Sequence, residues 1–343
     1  MFKILSLDGG GSKGAFSAGF LAELEKLLDE PIVAYFDLIS GTSTGGVIAV
    51  LSVIGHPVAD ILEVYTTQLH KVFTPNERFF KGLHGRLFTL LGNPLTRTFT
   101  GVTLDELFRA KYSFEGTISV LKKFTDNMKL VDIKNNRLVI PTTNLINGKP
   151  YVFKTPHLPE QSESYDFYAL DVILSTAAAP GYFDPVTLPG YGIFADGGIW
   201  ANNPGLVAYA EAVKIASTCT RDVDPKFNVN DIHMLSVGTG HAIDNFSPPY
   251  LRAGIKWWTK RLLELMFEAQ TQSSSFYLDR LMHDKYVRVN FERPHPHWGQ
   301  MDDTRYGREM AQMGRLLARK KFPMLKEMFF SEKAKPFTPY VKS

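Results

Sequence analysis

The sequence predicts an α/β fold with a mainly parallel central sheet flanked by helices, followed by a C-terminal helical extension. Two strand–turn–helix units lead the chain. The apolar run Phe2–Leu7 meets a glycine loop and a helix that starts near Gly14, and a strand at 35–39 meets a second glycine turn and an apolar helix at 47–54. Strands that alternate with helices in this way pair in parallel, and the helices cover the faces of the sheet.

Later segments extend the sheet and its helical layers. We predict strands at residues 138–141, 151–154, 193–195, 232–237 and 286–291, and helices at 58–71, 169–178 and 206–217. Residues 74–103 mix Gly, Pro, Arg and Phe without a clear period, which is typical of a loop-rich stretch. Because no linker or repeat interrupts the chain, we expect one catalytic domain at 1–248, with a C-terminal helical extension at 249–343 packed on it.

Composition and charge exclude several classes of protein. The 343 residues are 44% hydrophobic, as in a folded globular chain, and a net charge of +3 gives no reason to expect a nucleic-acid polymer as partner. The single cysteine, Cys219, excludes an intramolecular disulfide and a Cys-ligated zinc site and favours a reducing, cytoplasmic compartment. We expect no signal peptide before the first glycine loop, no membrane-spanning helix and no metal site at His295 and His297.

Ser43 lies in a Gly-x-Ser-x-Gly pentapeptide between a predicted strand and a predicted apolar helix. Flanking glycines permit a sharp turn that exposes the serine oxygen at a helix N-terminus, an arrangement called a nucleophile elbow. An ordinary glycine-rich β–α turn also fits these five residues, but their position between strand and helix favours a nucleophilic serine. The residues are Gly41, Thr42, Ser43, Thr44 and Gly45.

A serine hydroxyl needs a base to take its proton, and the sequence offers two kinds. His241 follows a Gly-Thr-Gly turn after a predicted strand, where the histidine of a Ser-Asp-His triad esterase would stand. Asp196 ends another predicted strand and precedes Gly197 and Gly198, which permit close approach of the backbone. Burial would raise the pKa of Asp196 and make it a better base, whereas a plain Asp-Gly turn has no catalytic role. The residues alone leave both bases open.

A glycine loop after the first strand has two interpretations. It fits Gly-x-Gly-x-x-Gly, and Asp37 lies about twenty residues further on, which is the spacing of a dinucleotide-binding oxidoreductase. Against this, Asp8 would face a bound pyrophosphate unfavourably, and Ser43 would have no role. In an acyl hydrolase, the loop would supply the N–H donors of an oxyanion hole. Its residues are Gly9, Gly10, Gly11, Ser12, Lys13 and Gly14.

Together the motifs resemble those of patatin-like phospholipases. Asp8-Gly-Gly-Gly-Ser-Lys-Gly14, Gly41-Thr-Ser-Thr-Gly-Gly46 and Asp196-Gly-Gly198 stand in that family's order, and the resemblance covers about residues 2–240. It implies a lipid acyl hydrolase with a Ser–Asp dyad, in which Ser43 is the nucleophile and Asp196 the base. It implies no catalytic histidine, no cofactor and no metal in the catalytic step. It also implies oxyanion donors in the glycine loop, chiefly Gly10 and Gly11. Lys13 stands where many members have arginine, which leaves its role open.

Within that family, the compact N-terminus is similar to that of bacterial antiphage effectors that a cyclic oligonucleotide activates. The similarity implies a cytoplasmic enzyme that contacts the inner membrane face peripherally and cleaves membrane phospholipid, with a cyclic oligonucleotide as activator. It leaves the oligomeric state open. A C-terminal basic run offers a nucleotide contact or, as the commoner alternative, a solvated helical face. The run comprises Arg305, Arg308, Arg315, Arg319, Lys320 and Lys321.

Residues 252–267 form a predicted amphipathic helix with a basic start and two adjacent tryptophans, Trp257 and Trp258. Such a helix suits a bilayer interface. Packing of its apolar side on the protein core is the commoner arrangement for this pattern, and we expect it here. The core-facing residues would be Ile255, Trp258, Leu262 and Met266.

Overall fold

The computed structural model describes residues 1–76, 92–94, 96, 109–158, 167–218, 227–241, 255–292 and 300–340. At 255–257 and 259–261 it describes the backbone alone. Most of the stretch predicted to be loop-rich lies outside the described residues, as do Cys219 and the segment around His295 and His297.

A single sheet of eight strands forms the centre of the described chain and confirms the predicted α/β fold. Its strand order is β5-β6-β3-β2-β1-β7-β8, with β4 paired to β3 outside this order. The strands β8, β7, β1, β2 and β3 run parallel, and β4, β5 and β6 add antiparallel pairs. The strands are β1 Phe2–Leu7, β2 Leu38–Gly41, β3 Arg137–Asn144, β4 Lys149–Lys154, β5 Val186–Leu188, β6 Gly192–Asp196, β7 Ile232–Val237 and β8 Tyr286–Val289.

Helices cover both faces of the sheet because side chains along each strand alternate between two apolar cores. From β1, Leu5 and Leu7 join the larger core with α1, α2 and α10, whereas Phe2 and Ile4 join the smaller core with α8 and α9. The helices are α1 Gly14–Leu28, α2 Thr44–Val53, α3 Val58–Glu63, α4 Leu69–Val72, α5 Phe114–Thr125, α6 Ala169–Thr176, α7 Gly198–Ala201, α8 Gly205–Thr218, α9 Ile255–Met282 and α10 Gly307–Phe329.

Several predicted elements differ from the structure in their bounds, and two of the differences have a local structural cause. The second strand begins at Leu38 rather than residue 35, because Ile32–Tyr35 forms a 3-10 helix. The helix predicted at 58–71 is interrupted by a π-helical segment, Val64–Gln68, between α3 and α4.

The C-terminal segment belongs to the same folded unit as the rest of the chain. Its strand β8 pairs in parallel with β7, so the segment is not only helical. Its helix α10 packs against α1 so closely that a Cβ on Gly314 would lie 2.3 Å from the backbone oxygen of Phe16. The division at residue 248 remains a prediction. None of the helices in the described residues combines the length and hydropathy that crossing a bilayer requires.

Strand register brings three loops to one edge of the sheet. Leu7 pairs with Gly41, so the glycine loop after β1 and the turn after β2 leave the sheet side by side. Ser40 pairs with Val139, and β3 continues beyond β2 to Thr142, which pairs with Asp196 at the end of β6. This extension of β3 places Asp196 level with the turn that carries Ser43.

Candidate active site

Ser43 occupies a sharp turn between β2 and α2. Its backbone has φ 53° and ψ −122°, a conformation that costs a non-glycine residue of order 1–3 kcal/mol and that tight surrounding packing must maintain. The flanking glycines permit that packing: a Cβ on Gly41 would lie 2.2 Å from the oxygen of Gly45, and one on Gly45 would lie 2.2 Å from the oxygen of Leu7. The turn therefore has the geometry of a nucleophile elbow, with the serine at the N-terminus of a buried helix.

Asp196 lies beside Ser43 in a fully buried position. Its Oδ1 accepts a hydrogen bond of 2.6 Å from the amide of Gly198, while its Oδ2 makes no close hydrogen bond to a described residue. Burial raises the pKa of Asp196 to about 7, and the Gly198 amide and the nearby Ser43 hydroxyl only partly oppose this effect. A carboxyl group with this pKa can accept a proton at neutral pH.

The glycine loop approaches Ser43 directly, since a Cβ on Gly9 would lie 3.3 Å from the Ser43 Cβ. Four of its amides are engaged. Gly9 N donates to the oxygen of Asn202 at 2.9 Å and Ser12 N to the oxygen of Met301 at 2.6 Å, while Lys13 N and Gly14 N donate to backbone oxygens within the loop. Gly10 and Gly11 donate no backbone hydrogen bond within the described chain. Of the loop amides that the sequence suggested, these two are therefore the candidates for binding an oxyanion.

Side chains distant in sequence hold these loops in place. The Thr176 Oγ1 accepts a 3.1 Å hydrogen bond from the amide of Ser43, and the Thr239 Oγ1 donates 2.9 Å to the oxygen of Gly9. The sequence motifs give no role to Thr176, Asn202 or Thr239. Two further segments, 175–180 and 202–204, also resemble the phospholipase family's sequence around the third motif, and because they contain Thr176 and Asn202 they were the available signal.

Asp8 has a partner that the sequence did not reveal. Arg288 of β8 contacts both carboxylate oxygens of Asp8, with 2.9 Å between Nη1 and Oδ1, and Nη1 also donates to Ser236 at 2.8 Å. Asp8 is buried, so this bidentate pair neutralises its charge at the base of the glycine loop. The expectation that Asp8 would present an unfavourable charge to a bound pyrophosphate is therefore wrong.

Asp37 excludes the dinucleotide interpretation on different grounds. Its Oδ2 accepts a 2.8 Å hydrogen bond from the amide of Lys3, near the amino end of β1. The glycine loop leaves the opposite, carboxyl end of that strand. An acidic residue that binds the ribose must lie at the same edge as the loop that binds the pyrophosphate, so Asp37 cannot take that role.

His241 contacts neither Ser43 nor Asp196 among its described interactions. Its ring lies 3.8 Å from the carboxylate of Glu292 and is about one third exposed, and its backbone bridges to the same segment. This geometry does not favour the triad alternative.

An apolar pocket opens beside the Ser43 turn. Gly11, Ser43 and Met301 line one part of it, next to the glycine loop. The remaining wall is almost wholly aliphatic and aromatic and includes Val47, Leu51, Val64, Leu69, Phe73 and Phe183. A pocket of this chemistry accepts a hydrocarbon chain with its polar end at the serine.

Three further sequence predictions concern the C-terminal basic run, the orientation of α9 and a metal site. Of the predicted basic run, Arg319 pairs with Glu23 and Arg305 with Asp303, and α10 carries all of its members except Arg305. The expectation that Trp258, Leu262 and Met266 face the core is wrong, because all three are exposed. Another side of α9 packs inward, through residues such as Phe267 and Leu278. No cluster of three or more metal-ligand side chains occurs within the described ranges.

Known proteins are similar to this chain in sequence. A model of the patatin-like phospholipase family matches residues 5–209, more than half of the chain. A cGAMP-activated phospholipase of Vibrio cholerae is 35% identical over 69% of this chain and 64% of its own length, so this chain spans less than two thirds of that relative. A cGAMP-activated phospholipase of Pseudomonas aeruginosa is 30% identical over 84% of this chain and 78% of its own length. A cUMP-AMP-activated phospholipase of Escherichia coli is 29% identical over 85% of this chain and 82% of its own length. As the motifs predicted, the chain belongs to the patatin-like phospholipase family.

Proposed function

We propose that this protein hydrolyses acyl esters of membrane phospholipids, with Ser43 as nucleophile and Asp196 as general base. The observation that carries the proposal is the buried carboxyl of Asp196, with its pKa raised to about 7, beside a serine held at φ 53° on a glycine-flanked turn. A serine activated by an adjacent base is the usual nucleophile of acyl transfer. Family membership supports the same reaction class.

In the first half of the reaction, the Ser43 hydroxyl attacks the ester carbonyl while Asp196 takes its proton. The carbonyl oxygen becomes an oxyanion, which the amides of Gly10 and Gly11 are placed to stabilise, since they are not engaged by other backbone groups in the described chain. Asp196 then returns the proton to the departing alcohol. The fatty acyl group remains as an ester on Ser43.

In the second half, Asp196 takes a proton from water as the water oxygen attacks the acyl-serine carbonyl. The same amides stabilise the second oxyanion. The proton returns to the Ser43 oxygen as the fatty acid leaves, which restores the free enzyme. The apolar pocket beside Ser43 would hold the acyl chain during both halves.

Activation by a cyclic oligonucleotide is part of the proposal and rests on the relatives. Two of them are named for activation by cGAMP and one for activation by cUMP-AMP. We propose that this chain is likewise switched on by a cyclic oligonucleotide in antiphage defence, in the cytoplasm, and that it then attacks the inner membrane face through peripheral contact.

The experiment is to incubate the purified protein with mixed phospholipids, alone and with each of a panel of cyclic dinucleotides, and to measure free fatty acid by mass spectrometry. We expect release that depends on one nucleotide and a covalent fluorophosphonate adduct on Ser43. Ser43→Ala is the matched control and should show neither. Absence of fatty acid release under every condition, with a folded protein, would refute the proposed function.

A further inference from the structure

Helix α9 presents an apolar stripe to solvent in two groups, one near each end, with polar residues such as Gln270 and Ser273 between them. Trp258, Leu262 and Met266 stand four residues apart and are 38–46% exposed, and Phe276, Tyr277 and Leu281 are 50–55% exposed. About five turns of an α-helix separate residues 258 and 276, so both groups lie on the same side. We call these six side chains the outer face.

An adjoining side of α9 packs on the turn that follows Asp196. Gln270 accepts a 2.8 Å hydrogen bond from the amide of Asn203, and Thr271 accepts one of 2.8 Å from the side chain of Asn202. The ring of Phe267 would lie 2.9 Å from a Cβ on Gly198, whose amide binds the Asp196 carboxylate. One helix therefore contacts the turn that binds the candidate base on one side and solvent, through an apolar stripe, on another.

The helix also lies near the pocket. Burial raises the pKa of the pocket residue Tyr182, and the charges of Asp302 and Glu264 raise it further. Glu264 belongs to α9, so its charge lies within electrostatic range of this pocket residue.

We propose that the outer face of α9 is the surface with which this protein contacts an anionic phospholipid bilayer. The proposal rests on the proposed function, because an enzyme that cleaves bilayer lipids must bring its site to the bilayer. The chemistry fits: the stripe combines tryptophan, tyrosine and phenylalanine with leucine and methionine. Aromatic side chains of this kind occupy the level of the lipid headgroups.

Charge along α9 selects a bilayer with acidic headgroups. The first turns contain Lys256, Lys260 and Arg261, and the first acidic residue of the helix is Glu264. A helix with an apolar face and a basic start lies in the membrane interface and binds more strongly as anionic lipid increases. Bilayer contact through this face would bring the Asp196 turn to within one helix diameter, about 10 Å, of the bilayer.

The test uses vesicles of phosphatidylcholine with phosphatidylglycerol and the double variant Leu262→Gln/Met266→Gln. Ile146→Gln and Leu316→Gln are matched controls, because both replace exposed aliphatic residues outside α9. Binding is measured by co-sedimentation in a Ser43→Ala background, with and without the cyclic dinucleotides, so that the vesicles stay intact. We expect about tenfold weaker binding for the double variant, which corresponds to about 1.4 kcal/mol, and wild-type binding for both controls.

A second readout compares hydrolysis of vesicle phospholipid with hydrolysis of a water-soluble short-chain ester. The ratio should fall about tenfold in the double variant and stay constant in the controls. Equal vesicle binding by the double variant and its parent would overturn the proposal. The proposal would also be overturned if the parent protein were a dimer and the double variant a monomer that binds vesicles equally well. The stripe would then be a surface that a second copy of the chain covers. If vesicles bind as expected but no lipid is cleaved, the proposed function fails and the bilayer surface stands.

Discussion

Two buried carboxylates, Asp8 and Asp196, lie at the same edge of the sheet in different surroundings. Asp8 meets the guanidinium of Arg288 with both oxygens. Asp196 has an amide on one oxygen and faces no cation within the described chain. A buried charge is stable only when it is paired and hydrogen-bonded. Burial raises the pKa of both carboxyls, but only at Asp8 does a guanidinium, that of Arg288, oppose the rise. Asp8 is therefore suited to anchor the glycine loop as an anion, whereas Asp196 is suited to gain and lose a proton near neutral pH.

The largest effect should come from Asp196→Asn, which keeps the shape of the side chain and removes the proposed base. We expect ester hydrolysis to fall about 10³-fold, within the range that a positioned general base contributes. At pH 8 the variant should also melt at a higher temperature than the wild type, because the amide does not carry a buried charge. Initial rates and thermal unfolding followed by circular dichroism measure the two effects.

Asp8→Asn is the matched variant for this comparison. It should lower the melting temperature at pH 8, because Arg288 loses its counter-ion in a buried position. Equal shifts of the same sign in the two variants would show that the two carboxylates are equivalent, contrary to their surroundings.

Of the single changes to the Asp8–Arg288 ion pair, Arg288→Gln should destabilise the protein most. It leaves the Asp8 carboxylate buried without its cation, and breaking a buried ion pair on one side costs about 3–5 kcal/mol. Urea denaturation measures the free energy of unfolding. Adding Asp8→Asn to Arg288→Gln should recover part of the loss, because no unpaired charge then remains. A double variant that loses the sum of both single effects would mean that the two side chains act independently.

The pH dependence of ester hydrolysis tests whether the pKa of Asp196 is raised. The value of kcat/KM for a soluble ester should rise about tenfold per pH unit below pH 7 and level off above it, because Asp196 acts as a base only when it is ionised. An acidic limb centred near pH 4 instead would mean that the pKa of the base is not raised.

The raised pKa of Asp196 also makes the stability of the folded protein depend on pH. The pKa of Asp196 is raised from 3.8 to about 7 in the folded protein, so the folded state holds this proton more strongly than the unfolded chain does. Its contribution to stability is complete below about pH 4 and is lost as the pH rises to about 7. The gain in melting temperature of Asp196→Asn should therefore be larger at pH 8 than at pH 5.

Local motifs made the centre of the site predictable from sequence. Ser43 and its flanking glycines, and Asp196 with its two following glycines, are short patterns whose geometry is set within a few residues. Parallel pairing of β1 with β2 brings the glycine loop beside the Ser43 turn, as the sequence pattern predicted. Asp196 reaches the same turn in a different way, because its strand β6 runs antiparallel to β3. The sequence did not show that β3 extends past β2 to bring Asp196 level with Ser43.

Pairings over long sequence separations could not be predicted in this way. Asp8 and Arg288 are 280 residues apart, and neither has a neighbour that indicates the other. The orientation of α9 failed for a different reason. The helix has apolar residues on two sides, Phe267 and Leu278 inward and Leu262 and Met266 outward, so periodicity alone does not say which side meets the core.

His241→Ala should have the smallest effect, and it tests whether Asp196 is the base at all. The ring of His241 lies against Glu292 and is about one third exposed, so its loss should change kcat/KM by about twofold or less. In a Ser-Asp-His triad, by contrast, the histidine is the base, and its removal costs several orders of magnitude. Assayed beside Asp196→Asn on the same ester, a comparable loss in His241→Ala would make Asp196 an orienting group. The contrast between Asp196 and Asp8 would then no longer be one between a base and an anchor, because both carboxylates would hold a cationic side chain in place.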